Sequence, residues 1–161
     1  MDAANDNAPL EPRLPDTDDL VFLCRCLNEA GAKYLVVVGF AIIQHGFVRA
    51  TEDVDLLIDV SPDNFGKVQR AMMALPDGAI REVTAQDLQD CLVVRVADEF
   101  VVDLMRQACG IEYAEACQDA VVMPLQGGAN SFRLTSHVAA NESDLSFQGC
   151  ARPGIPANAV A

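Results

Sequence analysis

Three aspartates in two strand-like segments are the residues best suited to chemistry. Asp53 and Asp55 are two apart in a segment where apolar and acidic residues alternate. A strand would point both carboxylates to one face, about 7 Å apart at the backbone. Two such charges destabilise each other unless a cation lies near them. Hard oxygen ligands with room for water and phosphate oxygens suit Mg²⁺, so the pair predicts a divalent-metal site.

Asp103 is the third candidate carboxylate. It lies between Val102 and Leu104 in a strand-like run, where aspartate is disfavoured on propensity grounds. If that strand lies beside residues 54–58, its carboxylate joins the other two. Two plainer interpretations remain open at this point: Asp103 could be a strand-end or edge residue facing water, and the other pair could belong to an acidic loop before a strand.

The segment upstream of the pair contains candidates for binding phosphate. Gly39 lies between a predicted buried strand and a short helical piece, where backbone N–H groups and the positive helix end can meet a phosphate. Arg49 could reach a triphosphate with its bidentate guanidinium, or pair with Glu52 at the surface. His45 could donate a hydrogen bond near this turn, or serve as a helix-end cap.

The hydrophobic pattern predicts the elements that would position these residues. Helices are expected over 18–30 and 62–75, with a further turn starting near residue 84 and a short helix over 111–119. Strands are expected over 34–38, 53–58, 91–97, 100–105 and 120–125, and residues 132–135 could pair back on the last of them. Asp98 and Glu99 would form the turn of a hairpin. This order favours an α/β (α+β) fold, a mixed sheet with helices packed on it.

Length and composition indicate the size of the folded domain, its location and the partners that are disfavoured. The 161 residues have room for one domain, predicted over 18–135, with 1–17 as a disordered tail and 136–161 as a disordered or truncated tail. No apolar run approaches the roughly 20 residues of a membrane span, and the net charge of −13 disfavours sequence-independent binding to nucleic acid. Without a secretory signal the expected location is the cytoplasm. The six cysteines lack paired zinc-site spacing and are expected to be ordinary buried thiols.

One continuous stretch carries a family resemblance. Residues 38–58 resemble the signature of the nucleotidyltransferase superfamily, and are closest to the small bacterial branch that includes the toxins of abortive-infection toxin–antitoxin systems. The signature is a glycine pair after a strand, a short helix ending in His-Gly, and Arg-x-Thr-x-Asp-x-Asp before an apolar strand. Asp103, in Val-Val-Asp-Leu-Met, matches the position of the family's third carboxylate.

The resemblance implies both an activity and a set of site residues. The implied reaction moves a nucleoside monophosphate from a nucleoside triphosphate to an acceptor hydroxyl on RNA or protein, with Mg²⁺ or Mn²⁺ as cofactor and an antitoxin as a possible partner. The metal ligands would be Asp53, Asp55 and Asp103, and the third could instead activate the acceptor. The residues implied near the nucleotide are Gly39, Phe40, Arg49 and Thr51.

Two departures from the family pattern favour an alternative function. Phe40 occupies a position that is usually Gly or Ser. The lysine-bearing C-terminal helix of the branch has no counterpart, since the only lysines are Lys33 and Lys67. The alternative is a catalytically impaired relative that binds a nucleotide or a protein.

Overall fold

A computed structural model describes residues 11–37, 52–108, 110–124 and 131–135. Its helices are α1 (Thr17–Glu29), α2 (Pro62–Met72), α3 (Ala85–Asp90) and α4 (Tyr113–Ala116), with 3₁₀ turns at Ala79–Glu82 and Cys117–Asp119. Its strands are β1 (Tyr34–Val37), β2 (Asp53–Ile58), β3 (Val93–Ala97), β4 (Val101–Met105), β5 (Gln107–Ala108), β6 (Ile111–Glu112), β7 (Ala120–Pro124) and β8 (Ser131–Thr135). The described residues contain both helices and strands, so the predicted α/β class is confirmed.

Six of these strands form one mixed sheet in the order β3-β4-β2-β1-β8-β7, and β5 pairs with β6 separately. The pairs β2–β4 and β1–β8 are parallel, while β1–β2, β3–β4 and β7–β8 are antiparallel. The two predicted hairpins are therefore confirmed. The predicted neighbourhood of β2 and β4 is confirmed as well, and it decides where Asp103 lies.

The helices begin where their capping residues predict. The Asp16 carboxylate accepts a hydrogen bond from the backbone N of Asp19, and the Asp19 carboxylate accepts one from the backbone N of Asp16. Thr84 forms the same capping box at α3. The C-terminal end of α1 is followed by Gly31, whose φ of 68° suits a residue without a side chain. The helix predicted over 111–119 is wrong in extent. Its first two residues pair as β6 with β5, which leaves only one α-helical turn.

The two faces of the sheet have different roles. Even-numbered residues of the central strands, such as Val54 and Leu56, pack under α1 and α2 in the larger hydrophobic cluster. Odd-numbered residues point to the opposite face because side chains alternate along a strand. There Leu57 and Met105 join a smaller cluster with residues of β5 and α4. The three aspartates are odd-numbered, so they lie on the face that α1 and α2 do not cover.

Asn64 connects the start of α2 to the ends of two strands. Its side chain is 3% exposed. The amide oxygen accepts from the backbone N of Lys33 at 2.7 Å, and the amide nitrogen donates to the carbonyls of Lys33 and Asp59 at 3.0 and 2.7 Å. These bonds hold the C-terminal end of β2 in place, whereas Asp53 and Asp55 lie toward its N-terminal end.

Asp98 holds the turn between β3 and β4. Its carboxylate, 2% exposed, accepts hydrogen bonds from the backbone N atoms of Asp77, Ala79 and Glu99 at 2.9, 3.0 and 2.8 Å. The turn has three residues, 98–100, rather than the predicted two, because Phe100 leaves the strand and is buried in the core. The register of the hairpin shifts accordingly.

Arg13 attaches the N-terminal segment to the domain. Its guanidinium contacts Asp19 at 2.6 Å and lies 5.7 Å from the centre of the Phe100 ring, and its backbone N donates to the carbonyl of Glu99 at 2.9 Å. The predicted domain limits stay predictions. Among the described residues, no helix has both the length and the apolar character that crossing a bilayer requires.

The cysteines differ in part from the expectation of free thiols. Among the described cysteines, Cys24 is free and buried, Cys26 and Cys117 are free but only half-buried, and Cys91 is disulfide-bonded.

Candidate metal centre

The structure brings the three predicted carboxylates together at one place. Asp53 and Asp55 lie on β2, and Asp103 lies on β4, directly opposite Asp55 in the parallel ladder. Asp103 is 1% exposed and lies between two other strands, so the edge-residue alternative is wrong. The acidic-loop alternative is wrong too, because both residues of the pair belong to β2.

The spacing of the carboxylates fits one divalent cation after small side-chain rotations. One oxygen atom from each of the three lies within 4.8 Å of the others. Opposite ligands of an octahedral Mg²⁺ are about 4.2 Å apart and adjacent ones about 3 Å, so a pair of oxygen atoms at the limit of this range has to close by roughly 0.6 to 1.8 Å. All three donors are hard oxygen atoms, as Mg²⁺ and Mn²⁺ prefer. The residues present therefore could hold a divalent metal.

Arg95, on β3, already neutralises part of this acidic group. Its Nη2 donates to Oδ2 of Asp53 and to Oδ2 of Asp103, both at 2.9 Å, and its Nε donates to Oδ1 of Asp103 at 2.9 Å. The contact with Asp103 is thus a bidentate fork, the strong geometry for this pair. Asp55 takes no part in these ion pairs.

Burial and mutual repulsion raise the pKa values of two of the aspartates. Burial, and then the charge of Asp103, raises the pKa of Asp53 to about 6, with Arg95 opposing the rise. Burial, and then the charges of Asp53 and Asp103, raises the pKa of Asp55 to about 8. Carboxyl groups with raised pKa values cost the metal-free protein stability when they ionise, and such groups cluster at functional sites. The three aspartates are therefore a candidate functional site.

We expect the free energy of unfolding of the metal-free protein to decrease as the pH rises from about 5 to about 8. Both raised pKa values lie above the ordinary 3.8 of an unfolded chain. The folded protein therefore holds more protons than the unfolded one across this range, and stability is lost as they dissociate. Thermal unfolding at constant ionic strength measures the decrease.

Saturating Mg²⁺ should flatten this pH profile, because the cation stabilises the ionised carboxylates. The variant Asp55→Asn is the control, since it lacks the group with the higher pKa and should lose less stability over the same range. A metal-free profile that is flat from pH 5 to pH 8 in the wild type would contradict the assignment.

Four residues predicted near the nucleotide, and one further candidate, lie outside the described residues. They are Gly39, Phe40, His45, Arg49 and Thr51. Their roles stay predictions.

The sequence interpretation missed Arg95, although a signal for it exists. An arginine in the middle of the apolar run 93–97 is as unusual as Asp103 in its own strand. The hairpin pairs the two residues directly across β3 and β4. Opposite charges at facing strand positions stabilise the pair, so a correct hairpin register would have identified this contact.

Comparison of the chain with protein-family models, with curated proteins and with solved structures finds no match. The functional argument therefore depends on the residues of the site itself.

Proposed function

We propose that this chain is a divalent-metal-dependent nucleotidyltransferase, which transfers a nucleoside monophosphate from a nucleoside triphosphate to an acceptor hydroxyl. The observation that supports it best is the convergence of Asp53, Asp55 and Asp103 from two parallel strands onto one face of the sheet. Burial and neighbouring charge raise the pKa values of Asp53 and Asp55 in the metal-free protein, and a cation-dependent activity gives a reason for keeping these groups.

The proposed roles follow from the positions of the carboxylates. Asp53 and Asp55, on one strand, would hold Mg²⁺ together. Asp103, on the neighbouring strand, would complete the ligand set or accept the proton of the acceptor hydroxyl. The acceptor oxygen forms a bond to the α-phosphorus and pyrophosphate leaves. When bound, the metal supplies charge stabilisation for the attacking and leaving oxygens.

The resemblance of residues 38–58 to the nucleotidyltransferase signature supports the same proposal and extends it. Gly39, Phe40, Arg49 and Thr51 would lie along the triphosphate. The acceptor would be an RNA or a protein, and a toxin of this kind would act under the control of an antitoxin.

The test is transfer of label from α-³²P nucleoside triphosphates to RNA or protein in cell extract. We expect label transfer by the wild type that requires Mg²⁺ or Mn²⁺ and falls to background in Asp53→Asn. Asp63→Asn is the matched control, because this carboxylate is on α2 and its side chain is 86% exposed. Equal labelling by wild type and Asp53→Asn would overturn the proposal.

A second candidate function is a non-catalytic relative that binds a nucleotide or a protein. One observation favours it: Arg95 already pairs its positive charge with Asp53 and Asp103. In this case the wild type binds a nucleoside triphosphate but transfers no label to any acceptor.

A further inference from the structure

A single nitrogen atom lies between two of the three carboxylates. Nη2 of Arg95 is 2.9 Å from Oδ2 of Asp53 and 2.9 Å from Oδ2 of Asp103. Both oxygens of Asp103 already accept from Arg95, and a divalent cation bound through the two Oδ2 atoms would lie between them, about 2.1 Å from each. The guanidinium and the cation therefore exclude each other at this position.

We propose that Arg95 competes with the divalent metal for Asp53 and Asp103, and so sets the metal affinity of the centre. Loading requires the guanidinium to move off both carboxylates, and unloading lets it return. The inference rests on the proposed function in one respect, the presence of a metal at these carboxylates.

The surroundings indicate that Arg95 moves and Asp103 stays, whereas the side chain of Asp53 is 26% exposed, about as much as that of Arg95. The side chain of Asp103 is 2% exposed, whereas that of Arg95 is 23% exposed. Among the described residues, β3 is the last strand at its end of the sheet order, while β4 lies between two strands. A long arginine side chain on such a strand can swing toward water, where its charge is readily hydrated.

The balance of charges makes the exchange reversible. The metal brings two positive charges and reaches Asp55, which is outside the two ion pairs of Arg95. Against this gain, the exchange breaks three charge-assisted hydrogen bonds, which are stronger than neutral ones. Without metal, Arg95 therefore pairs with Asp53 and Asp103 in the folded protein. The metal concentration then decides whether the guanidinium or the metal occupies the two carboxylates.

The experiment is calorimetric titration of Mg²⁺ into the full chain at pH 9, where protons compete least with the cation. It compares the wild type with Arg95→Gln and with Arg25→Gln. Arg25 is an exposed arginine on α1, which covers the opposite face of the sheet. It therefore controls for the loss of one positive charge.

We expect Arg95→Gln to bind Mg²⁺ about tenfold more tightly or better, because the cation no longer has to break charged hydrogen bonds. Arg25→Gln should bind as the wild type does. The thermal midpoint of metal-free Arg95→Gln should be lower than that of the wild type, and its rise on adding Mg²⁺ should be larger. Binding by Arg95→Gln alone, with none by the wild type, supports the competition and also favours the second candidate function.

Equal or weaker Mg²⁺ binding by Arg95→Gln, in the presence of measurable binding by the wild type, overturns the inference and leaves the proposed function intact. No binding by any variant overturns both. A readout on the wild type covers the case in which Arg95→Gln fails to fold. The ¹⁵N NMR signal of Arg95 Nε–H should shift as Mg²⁺ is added, and a stationary signal during metal binding would overturn the inference.

Discussion

Replacing Asp55 with asparagine is expected to weaken Mg²⁺ binding about a hundredfold or more, while it stabilises the metal-free protein at pH 9. The loss of affinity follows from removing one of three charged ligands, since even outer-shell changes cost about ten- to a hundredfold. The gain in stability follows because the pKa of this carboxyl is raised to about 8 by burial and by its acidic neighbours. Each unit of that rise corresponds to about 1.4 kcal/mol against the ionised form.

Two measurements check this prediction together. Calorimetric titration gives the Mg²⁺ affinity, and thermal unfolding in a chelator gives the stability at pH 9 and at pH 5. The stabilisation should nearly vanish at pH 5, where Asp55 is protonated in the wild type. The exposed carboxylate of Asp63 again supplies the control, because Asp63→Asn should change neither quantity appreciably. Undiminished Mg²⁺ binding by Asp55→Asn would show that this residue is not a ligand.

Replacing Asp98 with alanine is expected to reduce the free energy of unfolding by about 3–5 kcal/mol, a large effect for one substitution. The buried carboxylate accepts three backbone hydrogen bonds that are partly buried. Alanine leaves these N–H groups without an acceptor, and unsatisfied donors in partly buried surroundings are costly. Urea denaturation monitored by circular dichroism measures the change.

Glu99→Ala is the matched control for this turn. Glu99 is the next residue, is exposed, and forms a surface ion pair with Arg13 at 3.3 Å. Such pairs contribute about 0–1 kcal/mol, so Glu99→Ala should change stability by less than about 1 kcal/mol. An equally small loss in Asp98→Ala would mean that water replaces the carboxylate in the turn.

The three candidate carboxylates could be predicted from the sequence because one periodicity and one strand propensity identify them. Alternation along β2 puts Asp53 and Asp55 on one face, and an acidic residue inside an apolar strand is rare enough to mark Asp103. The adjacency of β2 and β4 was a hypothesis until the parallel ladder confirmed it.

Arg95, the partner of these carboxylates, could not be predicted, because its position opposite Asp103 depends on whether the hairpin turn has two residues or three. A two-residue turn at Asp98 and Glu99 would pair residue 97 with residue 100, and so put Arg95 opposite Val102. The observed three-residue turn puts it opposite Asp103. A shift of one residue moves a side chain to the other face of the sheet, and burial of Phe100 decides between the two registers.

The helices were predicted where local capping chemistry fixes them, and less well where tertiary pairing competes. Asp16, Ser61 and Thr84 each cap a helix within one residue of the expected start. Residues 111 and 112 have the composition of a helix start but pair as a short strand instead. The predicted nucleotide-binding residues lie outside the described residues and remain hypotheses.

The separation of odd and even positions in β2, β3 and β4 has a consequence for how this gene can vary. Neighbouring codons specify residues for opposite faces of the sheet, for example Val54 in the helix-covered core and Asp55 in the acidic group. Deleting one codon within β2 would exchange those faces for the rest of the strand, turning carboxylates into the core and valine or leucine out of it. Single-codon insertions and deletions should therefore be confined to the connections between these strands.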